Sequence, residues 1–363
     1  MKIKIYMHAA FVSLLLTVAC GLNARGANAQ ESAHFKGSIG KARFEMTLSR
    51  EGNNLSGTYF YVKSGSANTL SLRGKIDAKG NFTLQEFNSS GTQTGEFKGT
   101  WEDDPNQSGS SLVGQWKKPG AKEGQDFSAL EQMLFFTNGA QIIDRRINEF
   151  AKAKKFPMTA EYPELTGGTN AAGFNQLVKS RIDKRLADFK KEMMGLTAED
   201  LKTMSLIANS YIDIGYNVEY ADNDLISVSV WEESYEGGVH GNYSSFTITY
   251  DLKNGREIKL SELFKPGAKY LEAISAYATK DLQSRKDPES KENLGLAQDI
   301  FAEGVKPTLE NYRNWNITKK GLMFGFDPYQ VGPYVAGPQS VIIPYAKLKE
   351  IAKPGGALMK MMK

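Results

Sequence analysis

The sequence predicts a chain that is mainly β in its first part and α+β in its second part. We expect an N-terminal antiparallel β meander or small barrel, followed by an α+β domain with an antiparallel sheet and flanking helices. Three observations predict this fold class: a short glycine-centred element that recurs through residues 31–120, an amphipathic pattern over residues 170–194, and a hairpin turn signal at residues 253–255.

Residues 1–29 have the pattern of a secretory signal peptide. Lys2 and Lys4 precede an apolar stretch over residues 9–22, and small residues then allow cleavage after Ala29. The apolar stretch is shorter than the roughly 20 residues that a membrane-spanning helix needs. We therefore expect a periplasmic or secreted protein whose mature chain has no transmembrane span.

Cys20 is the only cysteine of the chain, and it lies inside this predicted signal. It follows residues 16–19, which loosely match a lipoprotein box, with Thr17 in the place where leucine is usual. Lipidation at Cys20 is therefore the alternative to cleavage after Ala29. Cleavage after Ala29 would leave no cysteine, which excludes disulfides, a cysteine nucleophile and thiolate metal ligands from the mature chain.

The charge pattern argues against nucleic acid as a partner. The formal net charge is +4 over 363 residues, acidic and basic residues alternate, and no basic block is interleaved with aromatic residues. The chain also has no P-loop, no G-x-S-x-G elbow and no H-E-x-x-H motif. We expect no cofactor and no metal.

Residues 31–127 are predicted to form the β meander or barrel domain. The recurring element has an apolar residue, a glycine two positions later and a second apolar residue two positions after the glycine. In a strand these three positions share one face. The glycine leaves a gap there that permits a sharp bend or lets a neighbouring side chain cross the strand. A ligand-binding barrel is one interpretation; a curved sheet whose aromatic side chains simply fill its interior is the other. The five copies start at Phe35, Leu55, Leu72, Phe97 and Leu112.

Residues 128–155 are predicted to be a helical linker between the two domains. Leu130, Met133, Ile143 and Ile147 contribute to an apolar pattern with helical spacing, although residues 137–139 interrupt it. At the other end of the chain, residues 351–363 form a basic, methionine-rich tail.

Residues 156–350 are predicted to be the α+β domain. A short strand ends near Pro163, and helices follow over residues 170–194 and 198–208. Strands are then expected at 211–216 and 225–231, a hairpin over 245–260, a helix at 269–285, and three strands between 316 and 343. The inner face of the long helix is expected to carry Phe174, Leu177, Ile182, Leu186 and Phe189.

The densest polar cluster of the sequence lies within residues 231–242. Glu233 or Glu236 with His240 could form an acid–base pair. The alternative is a glycine-rich loop in which His240 caps backbone groups and the glutamates are solvated. Beyond the predicted signal the chain has one further histidine, His34, which falls in the other domain, so a histidine-rich metal site is not expected.

Several elements of the second half together carry a family resemblance. Gly237 and Gly238 precede His240, and a pattern Tyr-x-x-Gly-Pro-Tyr-x-x-Gly runs from Tyr329 through Tyr334. Residues 156–350 thereby resemble the extracytoplasmic domain of unknown function shared by the anti-sigma factor RsiV, which senses lysozyme, and the deacetylase PdaC. The N-terminal β domain is not covered by the resemblance.

The resemblance implies a domain that works near the cell wall and binds peptidoglycan glycan or a lysozyme-like protein. The binding residues that we expect on this basis are Glu236, Gly237, Gly238, His240, Tyr329 and Tyr334. From the sequence alone we favour an exported binding protein of the cell envelope that is not an enzyme. The alternatives are a glycan-acting hydrolase that uses Glu233, Glu236 and His240, and a structural envelope protein.

Overall fold

The computed structural model describes residues 31–151, 156–195, 197, 210–236, 240–287 and 290–362. The predicted signal peptide with Cys20, the predicted helix at 198–208, and Gly237 and Gly238 lie outside the described residues. Within the described part of the chain, no helix is both long enough and apolar enough to span a membrane.

The first domain is a closed barrel of eight antiparallel strands. Each strand pairs with the next one along the chain, and the last strand pairs with the first to close the barrel. The predicted meander or small barrel is therefore confirmed in its closed form. The strands are β1 (Glu31–Ile39), β2 (Ala42–Glu51), β3 (Asn54–Tyr61), β4 (Leu70–Ile76), β5 (Asn81–Phe87), β6 (Gln93–Glu102), β7 (Ser111–Lys117) and β8 (Gln125–Gln132).

Aromatic side chains fill the interior of the barrel. Tyr59 and Phe97 pack edge to face with their ring centroids 5.4 Å apart, and Phe97 and Phe127 do so at 5.1 Å. Glu86 is buried among these residues, and its carboxylate accepts hydrogen bonds from the hydroxyl of Tyr59 and the indole nitrogen of Trp116. A packed interior of this kind agrees with the interpretation in which aromatic residues fill the curved sheet.

The recurring glycines lie where neighbouring strands approach each other most closely. A Cβ atom built on Gly74 would lie 1.8 Å from the carbonyl oxygen of Thr83, across the β4–β5 pair. The equivalent distance to a neighbouring carbonyl oxygen is 2.0 Å at Gly57. The gap left by each glycine is thus filled by the backbone of a neighbouring strand, which lets a small barrel coil tightly.

The predicted helical linker over residues 128–155 is wrong. Its first residues belong to β8, which closes the barrel, and residues 141–151 form β9 (Gln141–Ala151) of the second domain. The apolar residues of this region satisfy a helical spacing, but Gly139 has a φ of +80° and divides them into two strands. These residues form strands because they pair with strands that are distant in the sequence, and the local pattern does not reveal that pairing.

The second domain is built on a six-stranded sheet in the order β14-β13-β12-β11-β10-β9. All neighbours are antiparallel except β10 and β11, which run parallel over residues 158–160 and 212–214. The predicted hairpin is confirmed, since Tyr250 pairs with Glu257. The strands after β9 are β10 (Phe156–Thr166), β11 (Tyr211–Ala221), β12 (Leu225–Tyr235), β13 (Asn242–Asp251) and β14 (Arg256–Glu257).

Helix α1 (Ala171–Gly195) covers one face of this sheet. Its buried side chains recur every three or four residues, which is the spacing of one helix face. Arg185 of α1 forms a two-pronged ion pair with Glu232 of β12, at 2.5 and 2.6 Å, and so ties the helix to the sheet. The buried residues are Phe174, Val178, Ile182, Leu186, Phe189 and Met193, so Leu177 is the one predicted inner residue that lies only partly buried.

A second hydrophobic core lies between the remaining helices and a three-stranded antiparallel sheet. Ser227 of β12 accepts hydrogen bonds from Asn316 and from the backbone of Ile317, so this small sheet packs on the large one. The predicted α+β class is therefore confirmed. The elements are α2 (Tyr270–Ser284), β15 (Trp315–Ile317), β16 (Leu322–Phe326), β17 (Gln339–Ile343), α3 (Tyr345–Leu348) and α4 (Ala357–Met361).

The barrel is joined to the large sheet by backbone hydrogen bonds. The segment after β8 runs beside the end of β11: Phe135 donates to the carbonyl of Ala221 at 2.7 Å, and Ala221 donates to Met133 at 2.8 Å. Glu219 of β11 is buried at the same junction, where it accepts hydrogen bonds from the hydroxyls of Ser108 and Ser229. The two domains thus share polar contacts from both the backbone and the side chains.

Candidate functional site

Three of the predicted binding residues meet at one surface. His240 precedes β13, whereas Tyr329 and Tyr334 lie in the connection between β16 and β17. We call His240, Tyr329 and Tyr334 the aromatic surface. The backbone of Tyr329 is left-handed, with φ of +70°, and Gly337 ends the turn that carries Tyr334 with φ of +65°. The chain thus adopts two uncommon backbone conformations to place these tyrosines.

The rings of the aromatic surface pack against each other. His240 stacks on Tyr334 with centroids 4.0 Å apart and an interplanar angle of 21°. The Tyr334 and Tyr329 rings lie 5.5 Å apart and are tilted by 39°. Such offset contacts between rings add about 0.5–1.5 kcal/mol each beyond the area that they bury. The three rings therefore support one another in a fixed arrangement.

Hydrogen bonds hold the imidazole of His240 in one orientation. Its Nδ1 lies 2.8 Å from the carbonyl oxygen of Gly241, and because a carbonyl accepts, Nδ1 is the protonated nitrogen. In the neutral ring Nε2 is then the hydrogen-bond acceptor. It lies 3.3 Å from the hydroxyl of Tyr329, which donates to it. The hydroxyl of Tyr334 also donates to the carbonyl of Gly241, at 2.7 Å. This carbonyl anchors both stacked rings.

The aromatic surface faces solvent. Tyr329 is 57% exposed, His240 is exposed, and Tyr334 is half-buried. Val335, which follows Tyr334, is 92% exposed. Apolar ring faces and hydroxyl groups are therefore presented side by side, an arrangement suited to a ligand that has both apolar and polar faces.

The two glutamates of the predicted acid–base pair have other partners. Glu233 accepts a hydrogen bond from the hydroxyl of Tyr211 at 2.7 Å, and Glu236 lies 3.3 Å from the hydroxyl of Ser234. Among the hydrogen bonds between described residues, neither carboxylate reaches His240. The structure therefore brings His240, Tyr329 and Tyr334 together, whereas Glu233 and Glu236 make separate contacts with Tyr211 and Ser234.

The sequence interpretation missed Tyr211 as a member of this region. The hydrogen bond to Glu233, together with burial, raises the pKa of Tyr211 to about 12. Tyr211 begins β11 and pairs with Tyr235 at the end of β12. The register of the β11–β12 hairpin would have revealed this proximity, since it places Tyr211 two positions from Glu233 on neighbouring strands.

No group of three or more histidine, cysteine, aspartate or glutamate side chains that could hold a metal ion occurs in the described ranges.

Two family models match the second half of the chain. Residues 150–243 match the family described as Deacetylase PdaC, and residues 261–346 match the family described as Protein of unknown function (DUF3298). The resemblance inferred from the sequence is confirmed: residues 150–243 are similar to the PdaC family and residues 261–346 to the DUF3298 family. The N-terminal barrel is covered by neither model.

A curated relative and two solved structures show similarity to the chain. The relative is the peptidoglycan-N-acetylmuramic acid deacetylase PdaC of Bacillus subtilis (strain 168), 26% identical over 200 residues, which are 55% of this chain and 40% of that protein. A DUF3298 family structure from Bacteroides fragilis NCTC 9343 is 21% identical, covering 62% of this chain and 98% of that one, with a TM-score of 0.45. Another, from Pseudomonas aeruginosa PAO1, is 14% identical, covering 59% and 94%, with a TM-score of 0.39.

These matches correct one expectation and support another. The interpretation that the protein is not an enzyme is contradicted, because the curated relative and the matching family model are both described as a deacetylase. The coarser expectation, a cell-wall-related protein that works outside the cytoplasm, is supported by the same matches.

Proposed function

We propose, on the basis of the PdaC-like half of the chain, that this protein binds the glycan strands of peptidoglycan and that the aromatic surface contacts the sugar. The observation that carries the proposal is the stack of His240 on Tyr334 beside the exposed ring of Tyr329. Support for the class of ligand comes from the curated relative, whose name describes an enzyme of peptidoglycan.

The chemistry of a sugar ring suits such a surface. A pyranose has one face of C–H groups, which packs on an aromatic ring, and a rim of hydroxyls, which hydrogen-bond. Tyr329 offers both a ring face and a hydroxyl, and tyrosine contributes contact area at a low cost in conformational entropy. His240 and Tyr334 are already fixed by the carbonyl of Gly241, so binding would order few side chains.

The test is retention of the purified protein on insoluble peptidoglycan. We expect Tyr329→Ala and Tyr334→Ala each to weaken binding about tenfold or more, as truncation of an aromatic anchor does. Phe150→Ala is the matched control, because Phe150 is also 57% exposed but lies in β9. Equal retention of all four proteins, or no retention of any of them, would overturn the proposal.

Lysozyme is the alternative partner, and the same variants separate it from glycan. Immobilised lysozyme should not retain the protein if the aromatic surface recognises sugar. Retention on lysozyme that Tyr329→Ala abolishes, with no retention on peptidoglycan, would favour a protein partner instead.

A second candidate function is removal of acetyl groups from peptidoglycan, which the similarity to a deacetylase favours. Because the chain spans 40% of that relative's length, the relative's activity is a proposal for this chain. Acetate released from purified peptidoglycan would be measured for the wild type and for His240→Ala. Release that depends on His240 would support this function, and no release from the wild type would contradict it.

A further inference from the structure

A cleft of 660 Å³ lies between the outer wall of the barrel and the large sheet, away from the aromatic surface. Lys36 of β1 and Glu45 of β2 are cross-strand partners on the outside of the barrel, and both line this cleft. Asp144 of β9, Tyr216 of β11 and Trp231 of β12 line it from the side of the sheet. The volume falls in the range of sites that hold small molecules.

Ion pairs across the junction hold the walls of the cleft together. The ammonium of Lys36 pairs with Asp144 and donates to the hydroxyl of Tyr216 at 2.7 Å. The hydroxyl of Tyr216 in turn donates to Asp144 at 2.5 Å. Arg43, also on the barrel, pairs with Glu161 of β10 at 3.0 Å. The cleft is therefore a formed site with fixed polar groups.

The loop between β6 and β7 supplies another wall, and it too is fixed at several points. Lys320 pairs with Asp103 at 2.5 Å, and the hydroxyl of Ser340 donates to the carbonyl of Asn106 at 2.7 Å. These contacts position the next residue of the loop, Gln107, at the cleft.

One acceptor of the cleft is buried without a partner. Oε1 of Gln107 is buried and has no hydrogen-bond partner among the described residues, whereas the carboxylate of Asp144 is hydrogen-bonded to the carboxyl of Glu45. The Asp144 side chain as a whole is only 11% exposed. A buried acceptor left unpaired costs free energy, so the position of Gln107 favours a ligand that brings an N–H or O–H donor.

The charges of the cleft favour a cationic ligand over an anionic one. Burial, followed by the negative charge of Asp144, raises the pKa of Glu45 to about 7, so this carboxyl ionises near neutral pH. Below about pH 7 most of Glu45 is protonated, and the lining still has more carboxylates than cations: Glu102, Asp144 and Glu161 against Lys36 and Arg43. An amine would gain from this excess, whereas a carboxylate would be repelled.

We propose that this cleft is a second ligand site and that it binds an amino sugar, whose hydroxyls and amine donate to Asp144 and Gln107 while its ring lies beside Trp231. The site shares no residue with the aromatic surface, so the proposal does not rest on the proposed function.

Isothermal titration calorimetry near pH ~6.5 tests the proposal with three probes: glucosamine, N-acetylglucosamine and glucuronate. We expect glucosamine to bind at least about tenfold more tightly than N-acetylglucosamine, whose acetyl group removes the charge, and glucuronate to bind most weakly. Equal or tighter binding of N-acetylglucosamine, or no measurable binding of any probe, would overturn it.

Substitutions of residues in the cleft test whether glucosamine binds there. Gln107→Leu should weaken glucosamine about fivefold to tenfold, because one hydrogen bond is lost. Val113→Trp should abolish binding by filling the cleft, and its fold should be preserved because Val113 lines the cleft and is 44% exposed. Gln85→Leu, an exposed glutamine on β5, is the control and should bind like the wild type.

Tyr334→Ala separates the two sites. It should leave glucosamine affinity unchanged even if it abolishes retention on peptidoglycan. Loss of glucosamine binding in Tyr334→Ala, with wild-type affinity in Val113→Trp, would place the sugar at the aromatic surface and refute the cleft as its site.

Discussion

The indole of Trp231 lies across Gly215, its partner on the neighbouring strand. A Cβ atom at residue 215 would lie 2.1 Å from Cζ2 of the indole, so no larger residue fits while the ring keeps its place. Because Trp231 lines the cleft between the barrel and the large sheet, this glycine controls the shape of that cleft.

We therefore expect Gly215→Ala to displace Trp231 and to lower the free energy of unfolding by about 1–3 kcal/mol, the usual range for overpacking. Tryptophan fluorescence of the folded protein should change, and denaturant unfolding measures the loss of stability. Gly195→Ala is the matched control, since a Cβ there would meet nothing within 4 Å. Identical spectra and stability for the two variants would contradict the packing described.

The close approach of strands at the barrel glycines predicts that replacing one of these glycines will lower the free energy of unfolding. Gly74→Ala would place its methyl group against the carbonyl of Thr83, so β4 and β5 would have to separate. We expect a loss of about 1–3 kcal/mol in unfolding free energy. Lys75→Ala, at the next position of the same strand, should change it by less than about 0.5 kcal/mol because its side chain is exposed. A smaller loss at Gly74 than at Lys75 would count against the close approach.

Because Arg185 and Glu232 form an ion pair, we expect the effects of substituting them on the free energy of unfolding to be far from additive. Glu232 is only 8% exposed, so Arg185→Met leaves a buried carboxylate without its cation and should cost about 3–5 kcal/mol of unfolding free energy. Combining it with Glu232→Met should restore most of this loss. The control, Lys184→Met, removes an exposed pair with Asp188 and should cost no more than about 0.5 kcal/mol. If the loss in the double variant equalled the sum of the losses in the two single variants, the coupling between Arg185 and Glu232 would be ruled out.

The carboxyl of Glu45 predicts a pH-dependent stability at the junction of the two domains. Its pKa is raised from 4.5 to about 7 by burial and by Asp144, with Lys36 acting in the opposite direction and Glu161 in the same one. Between these values the folded protein holds a proton that the unfolded chain has released, so stability falls as the pH rises through this window. Asp144, whose pKa is lowered by Lys36 against the effect of burial, contributes only at more acidic pH.

Glu45→Gln should remove this dependence. Relative to the variant, we expect the wild type to lose about 1–2 kcal/mol of unfolding free energy from pH ~5 to pH ~8, after allowance for the partial exposure of the carboxyl. Urea unfolding of both proteins across this range measures the difference. A difference that is constant with pH would show that Glu45 titrates normally.

Tyr334→Phe distinguishes the two roles of Tyr334 in the aromatic surface. The variant keeps the ring that stacks on His240 and loses the hydrogen bond to Gly241. We expect retention on peptidoglycan to fall less than threefold, against about tenfold or more for Tyr334→Ala. Equal losses in both variants would mean that the hydroxyl, and not the ring face, is the group that matters.

Much of the fold was predictable because its signals are local. The alternation around each glycine of the barrel, the apolar face of α1 with Phe174 and Phe189, and the turn at Gly255 are written in short stretches of sequence. The region 128–155 was mispredicted for the opposite reason: its residues fit a helical spacing, yet β8 is held by β1 and β9 by β10.

The candidate site was predictable in part. The pattern that contains Tyr329 and Tyr334 and the loop that contains His240 were each visible, and the structure brings these rings together. The contact of Glu233 with Tyr211 was not visible, since it depends on the register between two strands.

The sequence by itself determined the two-part architecture, the PdaC-like character of the second half and three aromatic residues of the surface, because periodicity and motifs act over a few neighbouring residues. The cleft and the set of residues that line it were decided only by the tertiary structure. Lys36, Gln107, Asp144 and Trp231 come from distant parts of the chain, and they meet only because the barrel docks on the sheet. Burial and charge at such a junction are properties of the packing, which no local pattern contains.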